Sequence, residues 1–327
     1  MKNKVYKIFV SFFVFICLLI GMFLFSSCDS GDKKDKISVV CSVFPQYDWI
    51  KNIVGESDEV EIELLMKNGL DMHSYELTFA DMAKIASADI FIYIGGESDE
   101  SWADKAISSS KNENLISINM VDILEDKALV EEIKEGMQQS NEDHEGHIEN
   151  DEHVWLSLKN ASIYVSYLAK KLGEVDIINK QKYIDNANSY LKKINSLDKE
   201  YQKATNEASV KTIVVADRFP FRYLVNDYRL DYYAAFAGCS TEVNASAETV
   251  TYLANKIDEL ALNYIFQIDG ANSVANTVKQ ATINKNQKIL TLNSMQTLSM
   301  QDIINGKSYL SIMKDNLNLI KEALSNV

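Results

Sequence analysis

Proline is rare in this sequence of 327 residues, in which only Pro45 and Pro220 occur. Proline breaks a helix because it lacks a backbone N–H group and its ring collides with the preceding turn. The long helical patterns described below contain no proline, so we expect their backbone hydrogen bonds to continue without a break.

Cysteine is also rare, with four residues in the chain. Cys41 and Cys239 lie too far apart to form a metal-binding or redox motif, and their spacing gives no support to a disulfide. Cys239 follows Gly238, and we interpret it as a buried thiol rather than as a soft metal ligand.

Positively charged residues are also few compared with negatively charged ones. Lysine and arginine together number 33 against 47 aspartates and glutamates, which gives a formal net charge of −14. The N-terminal leader carries Lys2, Lys4 and Lys7, so the chain without it has three fewer positive charges and a net charge of −17. Such an acidic chain argues against nucleic-acid binding and favours the accumulation of cations.

Residues 1–28 have the order of a secretory signal peptide, with three lysines followed by the apolar run Ile8–Phe25 and two serines. The cysteine after those serines makes the segment resemble a bacterial lipoprotein signal. We therefore predict a signal peptide over residues 1–27, lipidation of Cys28, and a polar tether over residues 28–36. An uncleaved membrane anchor is the alternative. Both interpretations place the body of the chain outside the cytoplasm, attached to the cell membrane.

Strand and helix patterns alternate in residues 37–156 and again in residues 208–327. The predicted strands are Ile37–Val43, Val60–Leu65, Asp89–Ile94, Leu115–Ile118, Thr212–Ala216, Leu230–Phe236, Tyr264–Ile268 and Lys288–Leu292. The predicted helices between them are Tyr47–Val54, Phe79–Ser87, Phe221–Asp227, Glu248–Glu259, Asn272–Ala281 and Ser308–Leu324. Strands separated by helices indicate parallel sheets with right-handed crossovers.

Residues 157–207 are helical in character almost throughout, and the segment Asn179–Asn206 would span roughly 40 Å as one helix. The fold class predicted is therefore α/β, with two α/β lobes of mainly parallel sheets joined by a long backbone helix. The N-terminal lobe covers residues 37–156 and the C-terminal lobe covers residues 208–327. The chain is long enough for both lobes to have their own cores.

All four histidines of the chain lie between His73 and His153. His144 and His147 belong to an acidic stretch, residues 141–153, that ends at His153. Imidazole is the commonest protein ligand for zinc and similar metals. This distribution makes metal binding the first functional hypothesis.

Two motifs around these histidines resemble the metal-binding lipoproteins of ABC importers, the cluster A-I or TroA-like family. The first family motif is close to Gly-x-Asp-Pro-His-x-Tyr-Glu-Pro, and the second is close to Asp-x-His-x-Trp-Leu. The matching residues are Gly69, Asp71, His73, Tyr75, Glu76, Asp151, His153, Trp155 and Leu156. The resemblance implies two α/β lobes on a rigid helix, with a transported Zn²⁺ ion, or alternatively Mn²⁺, held between them. It also implies an ABC permease as the partner of a monomeric receptor.

The resemblance implies further ligands in the second half, where the sequence departs from the family pattern. Arg218 stands where a third ligand is usual, and a guanidinium cannot bind a cation. Asn293 stands where an aspartate is usual, and we expect Asp217 to supply the anionic oxygen. The predicted metal ligands are therefore His73, His153, Asp217 and Asn293.

These positions have other interpretations. Asp217 could instead pair with Arg218 or Arg222, and Asn293 could be a turn residue after a strand. Asp269, which ends the strand Tyr264–Ile268, is a weaker candidate for the missing anionic oxygen. His144 and His147 are expected to form an accessory loop that captures metal, although an acidic surface loop with incidental histidines also fits.

The leading functional hypothesis is a receptor that captures zinc and delivers it to an ABC importer, without enzymatic activity. A manganese receptor of the same family is one alternative, and an adhesin or scaffold lipoprotein with a degenerate metal site is another. A metallohydrolase that uses Glu152 and a zinc-bound water is disfavoured, because the sequence contains neither an HExxH nor a GxSxG motif.

Overall fold

The computed structural model describes residues 36–67, 69, 71–138, 150–240, 242, 244–269 and 273–325. The predicted signal peptide, Cys28, His144 and His147 lie outside these residues. Residues Ile37–Val327 form one compact unit.

The N-terminal lobe contains a parallel sheet of four strands in the order β2-β1-β3-β4. Its strands are β1 (Ile37–Cys41), β2 (Val60–Leu64), β3 (Ile90–Tyr93) and β4 (Ile116–Asn119). Its helices are α1 (Phe44–Val54), α2 (Phe79–Ala86), α3 (Glu97–Ser108) and α4 (Met120–Leu124). All four residues of β3 are buried, as expected for an inner strand of a sheet covered on both faces.

The C-terminal lobe repeats this plan, with a parallel sheet in the order β6-β5-β7-β8. Its strands are β5 (Thr212–Phe219), β6 (Asp231–Ala237), β7 (Tyr264–Ile268) and β8 (Lys288–Leu292). Its helices are α7 (Arg222–Tyr228), α8 (Ala247–Glu259), α9 (Ser273–Ala281), α10 (Met300–Ile304) and α11 (Tyr309–Ser325). In the two sheets the strand order reverses between β1 and β3 and between β5 and β7, and open α/β sheets bind ligands at the carboxyl ends of the strands at such a point.

Two long helices lie between the lobes in sequence, α5 (Leu158–Val175) and α6 (Lys180–Glu207). The residues of α6 that are buried recur every three or four positions, which is the repeat of one helix face. They are Tyr183, Ala187, Tyr190, Ile194, Leu197, Tyr201 and Thr205. The predicted backbone helix is thus present, one residue later at each end than the sequence pattern suggested.

Aromatic side chains join the helices of the two lobes. The ring of Trp49 in α1 stacks on Tyr164 of α5 at 5.6 Å and meets the edge of Tyr309 of α11 at 5.2 Å. The Tyr309 hydroxyl donates to the carbonyl of Trp155 at 2.7 Å. The indole N–H of Trp155 donates to the carbonyl of Ser294 at 2.9 Å. These contacts hold the segment after His153 against the loop after β8.

The α/β fold with two parallel sheets and a long helix is confirmed, but some elements differ from their predicted bounds. Helix α3 was not among the predicted helices, and its polar sequence has no clear apolar stripe. Helix α1 begins at Phe44, three residues earlier than predicted, since Pro45 is compatible with the first helical turn. Strand β5 continues to Phe219 through a register shift between Val215 and Arg218. Among the helices that the structure describes, none has both the length and the apolar character needed to cross a membrane.

Candidate metal centre

His73 lies beyond the carboxyl end of β2, in a short 3-10 helix, Met72–Ser74. Asp71 caps this helix, since its Oδ1 accepts a hydrogen bond from the His73 backbone N–H at 3.0 Å. Met72 is buried in the core, which anchors the turn. The His73 Nδ1 lies 2.7 Å from the Ser98 Oγ in the first turn of α3. Hydrogen bonds therefore hold both the backbone and the imidazole ring of His73.

His153 is completely buried at the start of the 3-10 helix Val154–Leu156. The Asp151 Oδ1 accepts from the His153 backbone N–H at 2.8 Å and lies 3.1 Å from its Nδ1. A carboxylate at Nδ1 keeps the proton there and leaves the Nε2 lone pair available to a metal. Asp151 therefore orients the His153 ring. A Cβ on Gly238 would lie 3.0 Å from the His153 Cε1, so the chain approaches the ring as closely as glycine permits.

The two imidazoles meet at one side chain, Gln296. Their ring centroids are 5.6 Å apart. The Gln296 Nε2 lies 3.2 Å from the Nε2 of His73 and 2.9 Å from the Nε2 of His153. An amide nitrogen carries two hydrogens, and a neutral imidazole can accept one at its unprotonated nitrogen. The Gln296 amide nitrogen therefore occupies the point at which a cation would contact the Nε2 lone pairs of both histidines.

Sequence reasoning missed Gln296, although it lies only three residues from the predicted ligand Asn293. The Asn293 Oδ1 accepts from the Met295 backbone N–H at 2.8 Å, in a turn where Met295 has a φ of 66°. The Asn316 side chain binds both the N–H and the carbonyl of Asn293. Asn293 therefore shapes the loop that presents Gln296. The sequence did contain one signal for Gln296, because this residue lies shortly after the end of the predicted strand Lys288–Leu292.

Arg218 forms an ion pair with Asp71, its Nη2 lying 2.6 Å from the Asp71 Oδ2. Pairing with Asp217 was the alternative that the sequence left open for this arginine, and the structure places Asp71 of the other lobe beside its guanidinium. Burial alone would raise the pKa of Asp71, but the hydrogen bond and charge of Arg218 outweigh it and lower that pKa. This pair links the loop after β2 to β5, directly beside His73.

Asp217 lies in β5, and its carboxylate is bound to the backbone. Its Oδ1 accepts from the Arg218 N–H at 2.9 Å, and its Oδ2 accepts from the Ile268 N–H at 3.1 Å. Burial raises the pKa of this carboxyl group. Asp269 also binds its own surroundings, since its Oδ2 accepts from the Ser294 N–H at 2.9 Å. Both carboxylates support the loops around the imidazoles.

Glu152 and Cys239 are two further donors beside His73. One donor atom from each of these three side chains lies within 4.8 Å of the other two. The Glu152 Oε1 accepts from the Ser98 N–H at 2.6 Å, and its Oε2 lies 3.9 Å from the His73 Nδ1. A Cβ on Gly96 would lie 2.2 Å from the Glu152 Cγ, so the glutamate side chain can occupy this position only because residue 96 is a glycine.

The electrostatics of the centre differ between the two imidazoles. Burial, reinforced by the charge of His153, lowers the pKa of His73 to about 3. Burial alone would lower the pKa of His153, but the charge and hydrogen bond of Asp151 outweigh it and raise that pKa. Burial raises the pKa of Glu152 to about 7. His73 is therefore neutral at physiological pH, which is the form that binds a metal.

The described cysteines Cys41 and Cys239 are both free, so they form no disulfide with each other. Cys41 is buried in β1, whereas Cys239 follows β6 close to the imidazoles. Burial raises the pKa of the Cys239 thiol well above its usual range. The sequence interpretation treated Cys239 as a core thiol because the proximity of His73 and Glu152 arises only in the folded chain.

The fold and these side chains define a two-lobed α/β protein with converging groups that could bind a metal ion. The chain belongs to the ZnuA family, described as zinc-uptake complex component A, periplasmic, whose family model matches residues 39–323. The resemblance found in the two histidine motifs is confirmed by this match.

Curated relatives agree with the family assignment. The zinc-binding lipoprotein AdcA of Streptococcus pneumoniae is 30% identical over 309 residues, which cover 93% of this chain and 59% of that protein. This chain thus spans about three-fifths of that relative's length. The high-affinity zinc uptake system protein ZnuA of Bacillus subtilis is 29% identical over 312 residues, which cover 91% of each chain.

Solved structures share the fold. The metal-dependent lipoprotein YcdH from Bacillus subtilis matches with a TM-score of 0.71 and 28% identity, over 89% of this chain and 100% of that chain. The Zn(II)-bound AdcA from Streptococcus pneumoniae matches with a TM-score of 0.70 and 28% identity, over 89% of this chain and 58% of that chain.

Proposed function

We propose that this chain is an extracytoplasmic receptor that binds zinc and delivers it to an ABC importer. The observation that carries the proposal is the convergence of the His73 and His153 Nε2 atoms on the single amide nitrogen of Gln296, at 3.2 and 2.9 Å. Two imidazole lone pairs directed at one buried point are also the arrangement in which two histidines bind one zinc ion. Both histidines are presented by rigid turns, so the ligands are ordered before the ion arrives.

The chemistry of the donors favours zinc over manganese. Zinc binds imidazole nitrogen and thiolate sulfur readily, whereas manganese prefers carboxylate and other hard oxygen donors. The relatives AdcA and ZnuA are named as zinc-binding and zinc-uptake proteins, which supports the same ion. The family description as a component of an uptake complex supports a permease partner and a role without catalysis.

Zinc titration calorimetry tests this function. We expect the wild-type chain to bind one zinc ion tightly, and His73→Ala and His153→Ala each to weaken binding at least tenfold, equivalent to about 1.4 kcal/mol. The melting temperature of each variant without zinc checks that it still folds. Undiminished stoichiometric binding in the His73→Ala/His153→Ala double variant would refute this site.

The attachment to the membrane rests on Cys28, which follows the leader directly and lies outside the described residues. We propose that Cys28 carries lipid and that the body of the receptor stays at the outer face of the cell membrane. Labelling of growing cells with a fatty acid should mark the wild-type chain and leave Cys28→Ala unlabelled. Equal labelling of the two chains would show that the lipid is elsewhere or absent.

A scaffold or adhesin with a degenerate metal site is the second candidate, and the Arg218–Asp71 ion pair is the observation that favours it. A fixed positive charge beside His73 opposes a cation unless a carboxylate neutralises it. Asp71 provides that neutralisation, which is why we prefer the receptor. Failure of the wild-type chain to bind either zinc or manganese would favour the scaffold. Competition between the two ions would separate a zinc receptor from a manganese receptor.

A further inference from the structure

Glu152 is a buried acid whose second oxygen has no hydrogen-bond partner. The residue is 1% exposed. Its Oε1 accepts from the Ser98 N–H at the start of α3, but its Oε2 lacks a hydrogen-bonding partner and lies 3.9 Å from the His73 Nδ1. An unsatisfied buried carboxylate oxygen is costly, and a bound cation is one way in which native structures satisfy such a group.

Cys239 completes a triangle of donors with this glutamate. One donor atom each from His73, Glu152 and Cys239 lies within 4.8 Å of the other two. Ligand atoms around one tetrahedral zinc ion lie roughly 3.5 Å apart, as follows from Zn–S and Zn–N bonds of about 2.3 and 2.0 Å. The triangle is therefore wider than a closed site by at most about 1.3 Å, which small side-chain rotations can close. The Cys239 backbone is positioned by Glu131, whose Oε1 accepts from its N–H at 3.0 Å.

We propose that His73, Glu152 and Cys239 form a second coordination position for a thiophilic divalent cation, called here the sulfur position. It lies next to the imidazole position, which is the one between His73 and His153. This inference rests on the proposed metal-binding function and adds a sulfur and a carboxylate ligand to it. Binding exchanges the thiol proton for a metal–sulfur bond and releases that proton to solvent. The ion keeps its charge, so no electron is transferred.

Both positions use His73 as a ligand, so two ions cannot bind to it at the same time, one in each position. A neutral imidazole has one nitrogen lone pair available for a metal, and its other nitrogen carries the proton. One ion can therefore use His73 with His153, or use it with Glu152 and Cys239. His153 directs its Nε2 towards Gln296, away from the Asp151 side of its ring. We infer that a cation can pass from the sulfur position to the imidazole position by a change of partners at His73, in which the ring proton moves from the nitrogen that gains the ion to the nitrogen that loses it.

The sulfur ligand gives the position a preference that the imidazole pair lacks. Thiolate selects zinc and softer ions, whereas carboxylate-rich sites accept manganese. We therefore expect Cys239 to contribute to discrimination between zinc and manganese. Replacing it should lower affinity for a soft ion such as Cd²⁺ at least tenfold while changing affinity for Mn²⁺ little.

Cobalt absorption spectroscopy tests the proposal, because Co²⁺ bound to thiolate gives a charge-transfer band in the near ultraviolet that oxygen and nitrogen ligands do not give. The full chain is titrated with Co²⁺ in detergent with a reductant that contains no thiol. Cys239→Ala and Cys239→Ser are compared with Cys41→Ala, which removes the other described thiol. Glu152→Gln is compared with Glu132→Gln, since the Glu132 carboxylate accepts from the Tyr232 hydroxyl instead of facing the triangle.

We expect the band in the wild-type chain, in Cys41→Ala and in Glu132→Gln, and its loss in both Cys239 variants. The Co²⁺ concentration that gives half of the maximal band intensity should be at least tenfold higher in Glu152→Gln than in the wild-type chain. A wild-type chain that binds Co²⁺ or zinc without the band would overturn the sulfur position and leave the receptor function standing. A band that survives in Cys239→Ser would overturn it as well. Absence of any metal binding would remove both proposals.

Discussion

At the scale of single residues, the centre depends on Gln296, whose amide nitrogen bridges the two imidazoles. The Gln296 Oε1 lies 2.9 Å from the Ser294 Oγ, and this hydroxyl also binds the Asp269 carboxylate. A hydroxyl has one proton, so it cannot donate to both acceptors at once. A rotation of the amide by half a turn would place its oxygen towards the imidazoles and let its nitrogen donate to Ser294. The side chain is thus arranged to offer either a donor or an oxygen ligand to the centre.

The first prediction concerns the charge at this position. Gln296→Glu should tighten zinc binding at least tenfold, about 1.4 kcal/mol, because a carboxylate supplies an anionic ligand between two neutral imidazoles. Calorimetric titration of the two chains measures the change. Gln181→Glu makes the same substitution at an exposed residue in the first turn of α6 and should leave zinc affinity unchanged. A Gln296→Glu chain that binds zinc no more tightly than the control would show that Gln296 does not face the ion.

The second prediction concerns pH in the metal-free chain. An unfolded chain protonates histidine near pH 6.5, whereas burial and the nearby His153 hold the pKa of folded His73 at about 3. His73 therefore lowers the stability of the fold as the pH falls from about 6.5 towards about 3. His153 acts in the opposite direction, because Asp151 raises its pKa despite burial. Its contribution is full below pH 6.5 and is lost as the pH rises through its folded pKa.

Nuclear magnetic resonance of the imidazole nitrogens measures both titrations, and His73→Gln and His153→Gln assign the two signals. We expect the His73 ring to titrate well below pH 6.5 and the His153 ring to titrate above it. Titration of both rings at the same pH would contradict the different roles given to Asp151 and to burial.

At the scale of secondary structure elements, α6 organises the middle of the molecule. Its buried face packs against α5 and α1, and the Tyr190 hydroxyl donates to the Asp48 Oδ2 of α1 at 3.1 Å. The same carboxylate oxygen accepts from the Tyr309 backbone N–H at 3.2 Å. One aspartate in α1 therefore joins the central helix to the start of α11 in the other half of the chain.

The third prediction tests this helix. Ile194 is completely buried on the inner face of α6, and Ile194→Ala should lower the free energy of unfolding by about 2–5 kcal/mol through lost burial and the cavity left behind. Lys193→Ala, on the exposed side of the adjacent turn, should change it by less than about 0.5 kcal/mol. Denaturant unfolding of both variants gives the comparison. Equal stability of the two would mean that α6 does not pack as described.

At the scale of the whole molecule, the segment after α4 crosses from one lobe to the other. Gln138 donates its backbone N–H to the Ala235 carbonyl of β6 at 2.9 Å, and Asn150 pairs with Val130 in an isolated bridge. The predicted accessory loop, residues 141–150, lies between these anchored ends and almost wholly outside the described residues. Both ends are held by backbone contacts that do not need the acidic residues or His144 and His147.

The fourth prediction follows from this arrangement. Replacing residues 141–149 by a short glycine–serine linker should change the melting temperature little, because exposed loops contribute few buried contacts. It should slow zinc uptake by cells when zinc is scarce and leave the main site saturated when zinc is abundant. Growth in chelator-treated medium measures the first effect, and calorimetry measures the second. Loss of zinc binding at high zinc would show instead that the loop builds the main site.

Much of this architecture was determined by the sequence itself. Apolar runs of β-branched residues predicted β1, β3 and β7 within one or two residues, and the three-to-four spacing predicted α6. These signals are local, because the periodicity of a strand or a helix is set by its own backbone geometry. His73 and His153 were predicted as metal ligands from two short motifs, which are also local in the sequence.

The tertiary structure alone decided which other residues surround them. Arg218 and Asp71 pair across 147 positions of sequence, and Gln296 reaches His73 across 223. Cys239 and Glu152 come from opposite lobes to the side of the same ring. The partners of a side chain at the edge of a sheet depend on how loops from separate strands meet, and no local pattern encodes that meeting. For this reason the sequence identified the two imidazoles, and the fold selected the amide, the carboxylate and the thiol that face them.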